Sequence, residues 1–235
     1  MGVEVNGPKI VRTIGPVVIT DTVITSWVII AIIAAVCCWL TKDLKVKPEG
    51  KRQIVAEKLV QMVYDLIDTT MGTKWKAFAP YIGALFSYSF ICSMSGLVGV
   101  KAPTGDLSII MGMAIVTFMM IQIVGARAKG FIGHFKKFLN PLNLISEVAT
   151  PVSMTFRHFG NIAAGGVITV LLYAALAYFS TVILKIIPIA FIQQIPVLQV
   201  GLPAILSIYF DVFTSFLQAY IFCMLTMVYV SMAED

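Results

Sequence analysis

Residues 141–161, PLNLISEVATPVSMTFRHFGN, set one arginine among apolar and small polar side chains. Asn143, Ser146, Thr150, Ser153, Arg157 and Asn161 follow one another at intervals of 3, 4, 3, 4 and 4 residues. At about 100° per residue these positions share one narrow arc of a helix, and the rest of its surface is mainly Leu, Ile, Val, Phe and Met. Arginine keeps its proton in proteins, and deep in a membrane segment it costs at least ~2.5–3.5 kcal/mol. Because it cannot escape by deprotonating, something anionic or aqueous has to face it. Arg157 stands 16 residues after Pro141 and 30 before Ile187, too far for its side chain to reach either end.

Working outward, the 96 residues from Phe138 to Ala233 hold four charged side chains, Glu147, Arg157, Lys185 and Asp211. Pro188, Pro196, Gly201 and Pro203 divide this region into two helices, about Pro141 to Ile187 and about Leu202 to Met232. The first would be roughly 70 Å long, more than twice the hydrocarbon thickness, so it must tilt strongly or break near Pro151 or Gly160. The pattern predicts a steeply inclined hairpin, and tilts beyond about 40° call for a packing partner. Gly160, Ala163, Ala164, Gly165 and Gly166 follow Arg157 and form a surface of small residues that another helix can approach closely. On the second helix Ser207, Asp211, Thr214 and Gln218 share a face at intervals of 4, 3 and 4. Asp211 reads either as a static counter-ion for Arg157 or as a titratable relay, since burial and a nearby cation pull an acid in opposite directions. Glu147, about 80° round the helix from Arg157, reads as a solvated or entrance group, and His158 as a packed or interfacial histidine.

The rest of the chain agrees with a membrane protein. It is 59% hydrophobic and 12% charged, with a mean hydropathy of +0.92, whereas soluble domains carry roughly 25% charged residues. About Val17 to Leu40, Phe78 to Val100 and Leu107 to Ala126 are apolar segments long enough to span. Residues 50–71 differ: Ile54, Leu59, Met62, Val63, Leu66 and Ile67 recur at helical spacing opposite Lys51, Glu57, Lys58, Asp65 and Asp68, an amphipathic surface helix. The fold class is therefore all-α and integral to the membrane, with about five crossing helices plus one amphipathic surface helix. It divides into an N-terminal anchor and surface helix, residues 1–75, and a helical domain, residues 76–235.

The net charge of +5 comes from basic clusters beside the apolar segments, Lys42 to Lys58 and Arg127 to Lys137, which is the positive-inside pattern and not a nucleic-acid surface. It predicts an N-terminus outside and a cytoplasmic C-terminus. The stretch MGVEVNGPKIVRTIGP lacks the basic start and short apolar core of a cleaved signal, so the first segment reads as an anchor. Cys37, Cys38, Cys92 and Cys223 lie in apolar stretches without metal spacing and read as small hydrophobic filler. There is no Gly-rich phosphate loop, metal cluster or Ser/His/Asp set, so no cofactor is expected and any ATP chemistry belongs to other chains. A secondary transporter with a buried Arg157–Asp211 site is the competing class, but it predicts inverted repeats, and none is visible.

The segment Pro151-Val-Ser-Met-Thr-Phe-Arg157-His-Phe-Gly-Asn161-Ile-Ala-Ala-Gly165 resembles the P-x-S-L-x-x-R-L-F-G-N motif of subunit a of F-type ATP synthases. Leu217-Gln-Ala-Tyr-Ile-Phe-Cys-Met-Leu-Thr-Met-Val-Tyr-Val-Ser231 is similar to that family's C-terminal motif, and Lys101-Ala-Pro-Thr-Gly-Asp106-Leu-Ser resembles its P-T-A-D-x-N turn. The resemblance implies a stator subunit, not an enzyme on its own, that gives protons or Na+ two half-channels to and from a ring of c subunits. It implies as partners that ring, peripheral-stalk b subunits, the remainder of the ATP synthase and membrane lipid, in a bacterial plasma membrane. By the same likeness Arg157 opposes the ring carboxylates, Asn161 and Gln218 line the route, and Asp106 lies near the outer entrance. Asp106, Asn143, Glu147, Ser153, Asn161, Asp211 and Gln218 are thus the expected ion-path residues. Where relatives usually place a glutamate fourteen residues before the arginine, this chain has Asn143, with Glu147 a turn further on as the substitute. Gly166 stands where many relatives carry an acid or histidine, which leaves Asp211 to serve the outer relay.

Overall fold

The computed structural model describes residues 9–14, 17–42, 44–46, 50–130, 141–184 and 208–234. Six α-helices carry the architecture: α1 Asp21–Leu40, α2 Lys51–Thr70, α3 Ala79–Met94, α4 Leu107–Lys129, α5 Pro141–Leu184 and α6 Thr214–Glu234. Five of the described helical segments are long and apolar enough to cross a membrane, all except α2. This is an all-α integral membrane protein, as the composition required.

One small element was not expected. Ile10–Ile14 (β1) and Val17–Thr20 (β2) form an antiparallel hairpin. The first crossing helix therefore begins at Asp21, not at Val17. Val17, Val18, Ile19 and Thr20 are β-branched and pair readily as a strand once a partner is beside them. Asp21 then locks the junction: its backbone N–H donates to the Lys9 carbonyl at 3.0 Å, and its Oδ1 accepts from the Lys9 N–H at 3.1 Å.

The core lies where α3, α4, α6 and the C-terminal half of α2 meet. Ile67, Ile82, Cys223, Phe222, Met227 and Val230 are all sealed there. Cys92 and Cys223 are buried as expected, whereas Cys37 and Cys38 lie on the exposed surface of α1. The amphipathic helix forms as predicted, but its apolar face is divided. Ile67 is fully covered, while Ile54, Leu59 and Met62 on the same helix remain about half exposed or more. Gly72, at φ +87°, ends this helix in a conformation that suits glycine and turns the chain into the 3-10 turn Thr73–Phe78 ahead of α3. The ion pair of Lys74 with Glu234 at 2.5 Å brings the end of α6 to that same junction, and that of Lys76 with Asp68 at 3.5 Å ties the turn back to α2.

Helix α1 is held mainly by polar contacts. Ser26 Oγ and Tyr88 OH lie 2.5 Å apart, Thr22 Oγ1 donates to Asp106 Oδ2 at 2.7 Å, and the Arg52 guanidinium sits 5.2 Å above the Trp39 ring. Helix α5 is the least covered of the five crossing helices and α6 the most. At 44 residues it is about 66 Å long, and it runs unbroken through Pro151 and Gly160, so inclination rather than a break accommodates its length. Residues 185–187, with Pro188, Pro196, Gly201 and Pro203, lie outside the described residues, as does the expected stretch Leu202 to Ser207 at the start of the second long helix.

These contacts rank in strength. Interhelical hydrogen bonds in membranes average about 0.6 kcal/mol, whereas a large buried aromatic cut to alanine costs about 3–5 kcal/mol. In thermal melts of the detergent-solubilised protein, Phe222→Ala is expected to lower the midpoint far more than Ser26→Ala. Equal shifts would show that the α1 contacts, and not the core, limit stability.

Candidate ion-path site

Helix α4 and helix α5 lie antiparallel and set the level of every candidate residue. At one end the 3-10 turn Pro103–Gly105 packs on α5, and a Cβ at Gly105 would stand 3.9 Å from Ile162 Cγ2. At the other end Gln122 Nε2 donates to Glu147 Oε2 at 2.7 Å across the α4–α5 seam. Arg157 falls between these crossings, about 15 Å along the axis from Glu147 and about 8 Å from Ile162.

The Asp106 end is a knot of small polar groups. Asp106, only 7% exposed, caps α4 by accepting from the Ser108 N–H at 3.0 Å and takes the Thr22 hydroxyl on its other oxygen. Thr20 and Thr22 hydroxyls stand 2.7 Å apart, and Ser93 and Thr104 hydroxyls 3.1 Å apart. An anionic cap at a helix N-terminus also meets the positive end of the helix dipole. Gln122, sixteen residues along α4, is therefore about 24 Å from this knot. The two polar clusters sit at opposite ends of one seam.

Between them α5 turns an apolar side inward. Met154, Thr155 and His158 are fully buried, and the His158 ring meets Phe222 of α6 edge-on at 5.9 Å. This settles His158 as a packed core residue; neither of its ring nitrogens has a hydrogen-bond partner among the described groups. Arg157, one residue earlier, points about 100° away from it. Arg157, Ser153, Ser146 and Asn143 are exposed, and Thr150 and Asn161 half-buried, so the polar stripe runs along the border of the covered face. A Cβ placed on Gly160, Gly165 or Gly166 would meet nothing within 4 Å. Gly160, one turn past Arg157, leaves the surface beside this cation open.

The remaining candidates divide. Gln218 is buried in α6, and Asp211 lies in the single π-helical turn Ile208–Phe213 that leads into α6. Ser207 and the Asp211 side chain lie outside the described residues. Glu147 is half-buried and faces α4, so it is a seam residue and not a solvated one. Sequence reasoning missed Gln122, Thr22, Ser26 and Tyr88. A lone amide or hydroxyl in an apolar helix shows no periodicity, and only the distant partner gives it meaning.

Comparisons with known proteins agree over most of the chain. Residues 23–231 match the family model described as ATP synthase A chain. ATP synthase subunit a 2 of Bradyrhizobium sp. is 34% identical, over 71% of this chain and 77% of that protein. The sodium ion specific ATP synthase subunit a of Propionigenium modestum is 32% identical, over 90% of this chain and 73% of that protein. ATP synthase subunit a of Moorella thermoacetica is 28% identical, over 93% of this chain and 92% of that protein.

The cap predicts a local measurement. Asp106→Ala removes the acceptor for the Ser108 N–H, a loss of about 1 kcal/mol. Amide hydrogen exchange in the first turn of α4 should rise several-fold while exchange near Gln122 stays unchanged. Unchanged exchange at Ser108 would mean that the cap contributes nothing to the turn.

Proposed function

The chain belongs to the ATP synthase A chain family, and from that premise we propose how its residues carry an ion through the membrane sector. It is a non-catalytic, ion-translocating subunit of an F-type ATP synthase and works as part of that complex. The competing transporter class loses its footing with that membership.

In the proposed reading the chain stands beside a ring of c subunits, with peripheral-stalk b subunits holding it still. Residues 1–75 anchor and residues 76–235 conduct. The N-terminus lies outside and the C-terminus, with the basic loops, in the cytoplasm of a bacterial plasma membrane. Ions enter from outside past Asp106, Asp211 and Gln218 and neutralise a ring carboxylate. The neutral site turns through lipid, which a bare charge enters only at high cost. It returns to the inner path beside Asn143 and Glu147 and releases its ion, with Ser153 and Asn161 lining the route on either side of Arg157. Arg157 then pairs with the emptied carboxylate and keeps the two paths from joining. Each charge that crosses ~100 mV supplies about 2.3 kcal/mol, so several are needed per ATP. The ion is a proton or Na+, the latter in keeping with the printed name of the Propionigenium relative.

One observation carries this reading: a permanent cation stands exposed on α5, between two polar clusters and one turn from an uncovered glycine, Gly160. Lipid alone makes a poor neighbour for it, whereas a carboxylate on a passing subunit pairs with it.

Arg157→Ala in the assembled synthase should reduce ion-driven ATP synthesis to background while ATP hydrolysis by the soluble part persists. Substantial coupled synthesis in that variant would overturn the assignment. Asp211→Asn should slow ion uptake from outside by about tenfold, the kinetic equivalent of ~1.4 kcal/mol. An unchanged rate would return Asp211 to a counter-ion role.

A further inference from the structure

The α4–α5 seam holds a pair that the pathway above leaves unexplained. Glu147 is the one acid of α5, and Gln122 is the one amide of α4. The Gln122 Nε2 donates to Glu147 Oε2 at 2.7 Å, with both residues half-buried. We propose that Gln122 is a positioning residue for ion transfer. It holds the Glu147 carboxylate inside the seam, so that the inner path past Asn143 and Glu147 runs along the join between α4 and α5. The proposal rests on the reading above and adds a residue and a route to it.

The physical case has three parts. A charge-assisted amide–carboxylate bond is stronger than a neutral one and fixes the acceptor's direction. Glu147 projects about 80° round α5 from Arg157, toward α4, which packs on this helix. The pair stands near the exposed basic end of α4, where Arg127 and Lys129 lie five and seven residues past Gln122, about 8 and 10 Å along the helix. Among the described residues, the other titratable or charged groups on elements packed against α5 are Asp106 at the far end of the seam, and Tyr220, Cys223, Tyr229 and Glu234 on α6. On α5 itself they are Arg157, about 15 Å away along the axis, with His158 and the tyrosines Tyr173 and Tyr178 beyond it. The cargo is a monovalent cation held at a carboxylate, either a proton or Na+.

The test uses inverted vesicles containing the whole synthase, in which the bath is the cytoplasmic side. ATP-driven ion uptake, scaled to assembled complex, is measured against bath pH without added Na+ and against bath Na+ at fixed pH. Glu147→Gln should cut uptake by about tenfold or more. Gln122→Leu should change the half-maximal bath ion concentration while leaving the dependence on the vesicle interior as it was. Combined, the two changes should be no worse than Glu147→Gln alone, the signature of residues that act as one unit. Adding Asn143→Glu, one turn away, to Glu147→Gln should recover uptake and make it insensitive to Gln122→Leu. Response to pH alone identifies the proton, and response to Na+ identifies sodium. Additive losses, or a Gln122→Leu effect on the vesicle-interior side, overturn the inference even if Arg157→Ala behaves as expected. Pumping that survives Arg157→Ala overturns the underlying reading instead.

Discussion

A guanidinium that cannot lose its proton constrains everything around it. Arg157 sits well inside a 44-residue apolar helix, so neither snorkelling nor deprotonation relieves it. The fold does not bury the charge either. It buries the neighbouring arc of Met154, Thr155 and His158 and leaves Arg157 on the rim. Gly160, exposed one turn on, keeps that side open to close approach. A subunit that works by meeting a moving carboxylate needs this arrangement: rigid behind the cation and uncovered in front of it.

Ion translocation through two paths also needs them kept apart, and in the proposed reading the packed α4–α5 seam contributes to that separation beside Arg157. The Asp106 knot and the Gln122–Glu147 pair lie about 24 Å from each other along α4. Between them α4 presents Ala114, Thr117 and Ile121 to the interior, and α6 presents Phe222 and Met227. Asp106, Thr22, Gln122 and Glu147 at the two ends of this seam are hydrogen-bonded, because an unpaired polar group away from water is costly, and buried His158 between them is an exception. The pairs mark where polar chemistry is tolerated, and the packed side chains between them are the insulation.

Much of this was legible in the residues. The polar stripe ending in Arg157 and Asn161 stood out because intervals of 3 and 4 mean one face of a helix, whatever surrounds it. The amphipathic α2 was legible for the same reason. The great length of α5 was legible in another way, from the placing of prolines and glycines, whereas the basic residues did not simply mark loops: Lys51, Arg52 and Lys58 lie in α2, and Arg127 and Lys129 in the last turn of α4. The hairpin at Ile10–Thr20 was not legible. Val17 to Thr20 suit a strand and an apolar helix equally, and only pairing with Ile10–Ile14 decides between them. Pro151 read as a possible break, and it is not one: the helix carries straight through.

The sequence by itself determined the membrane class, the number of crossings, and the helix face that carries the charge. These follow from periodicity, length and the cost of a cation in lipid, all of them properties of a single segment. Only the tertiary structure decided that Glu147 belongs to Gln122, that Asp106 is held by Thr22, and that His158 packs on Phe222. Those partners lie 25, 84 and 64 residues apart in the chain. A solitary polar side chain carries no mark of which distant helix will pack against it.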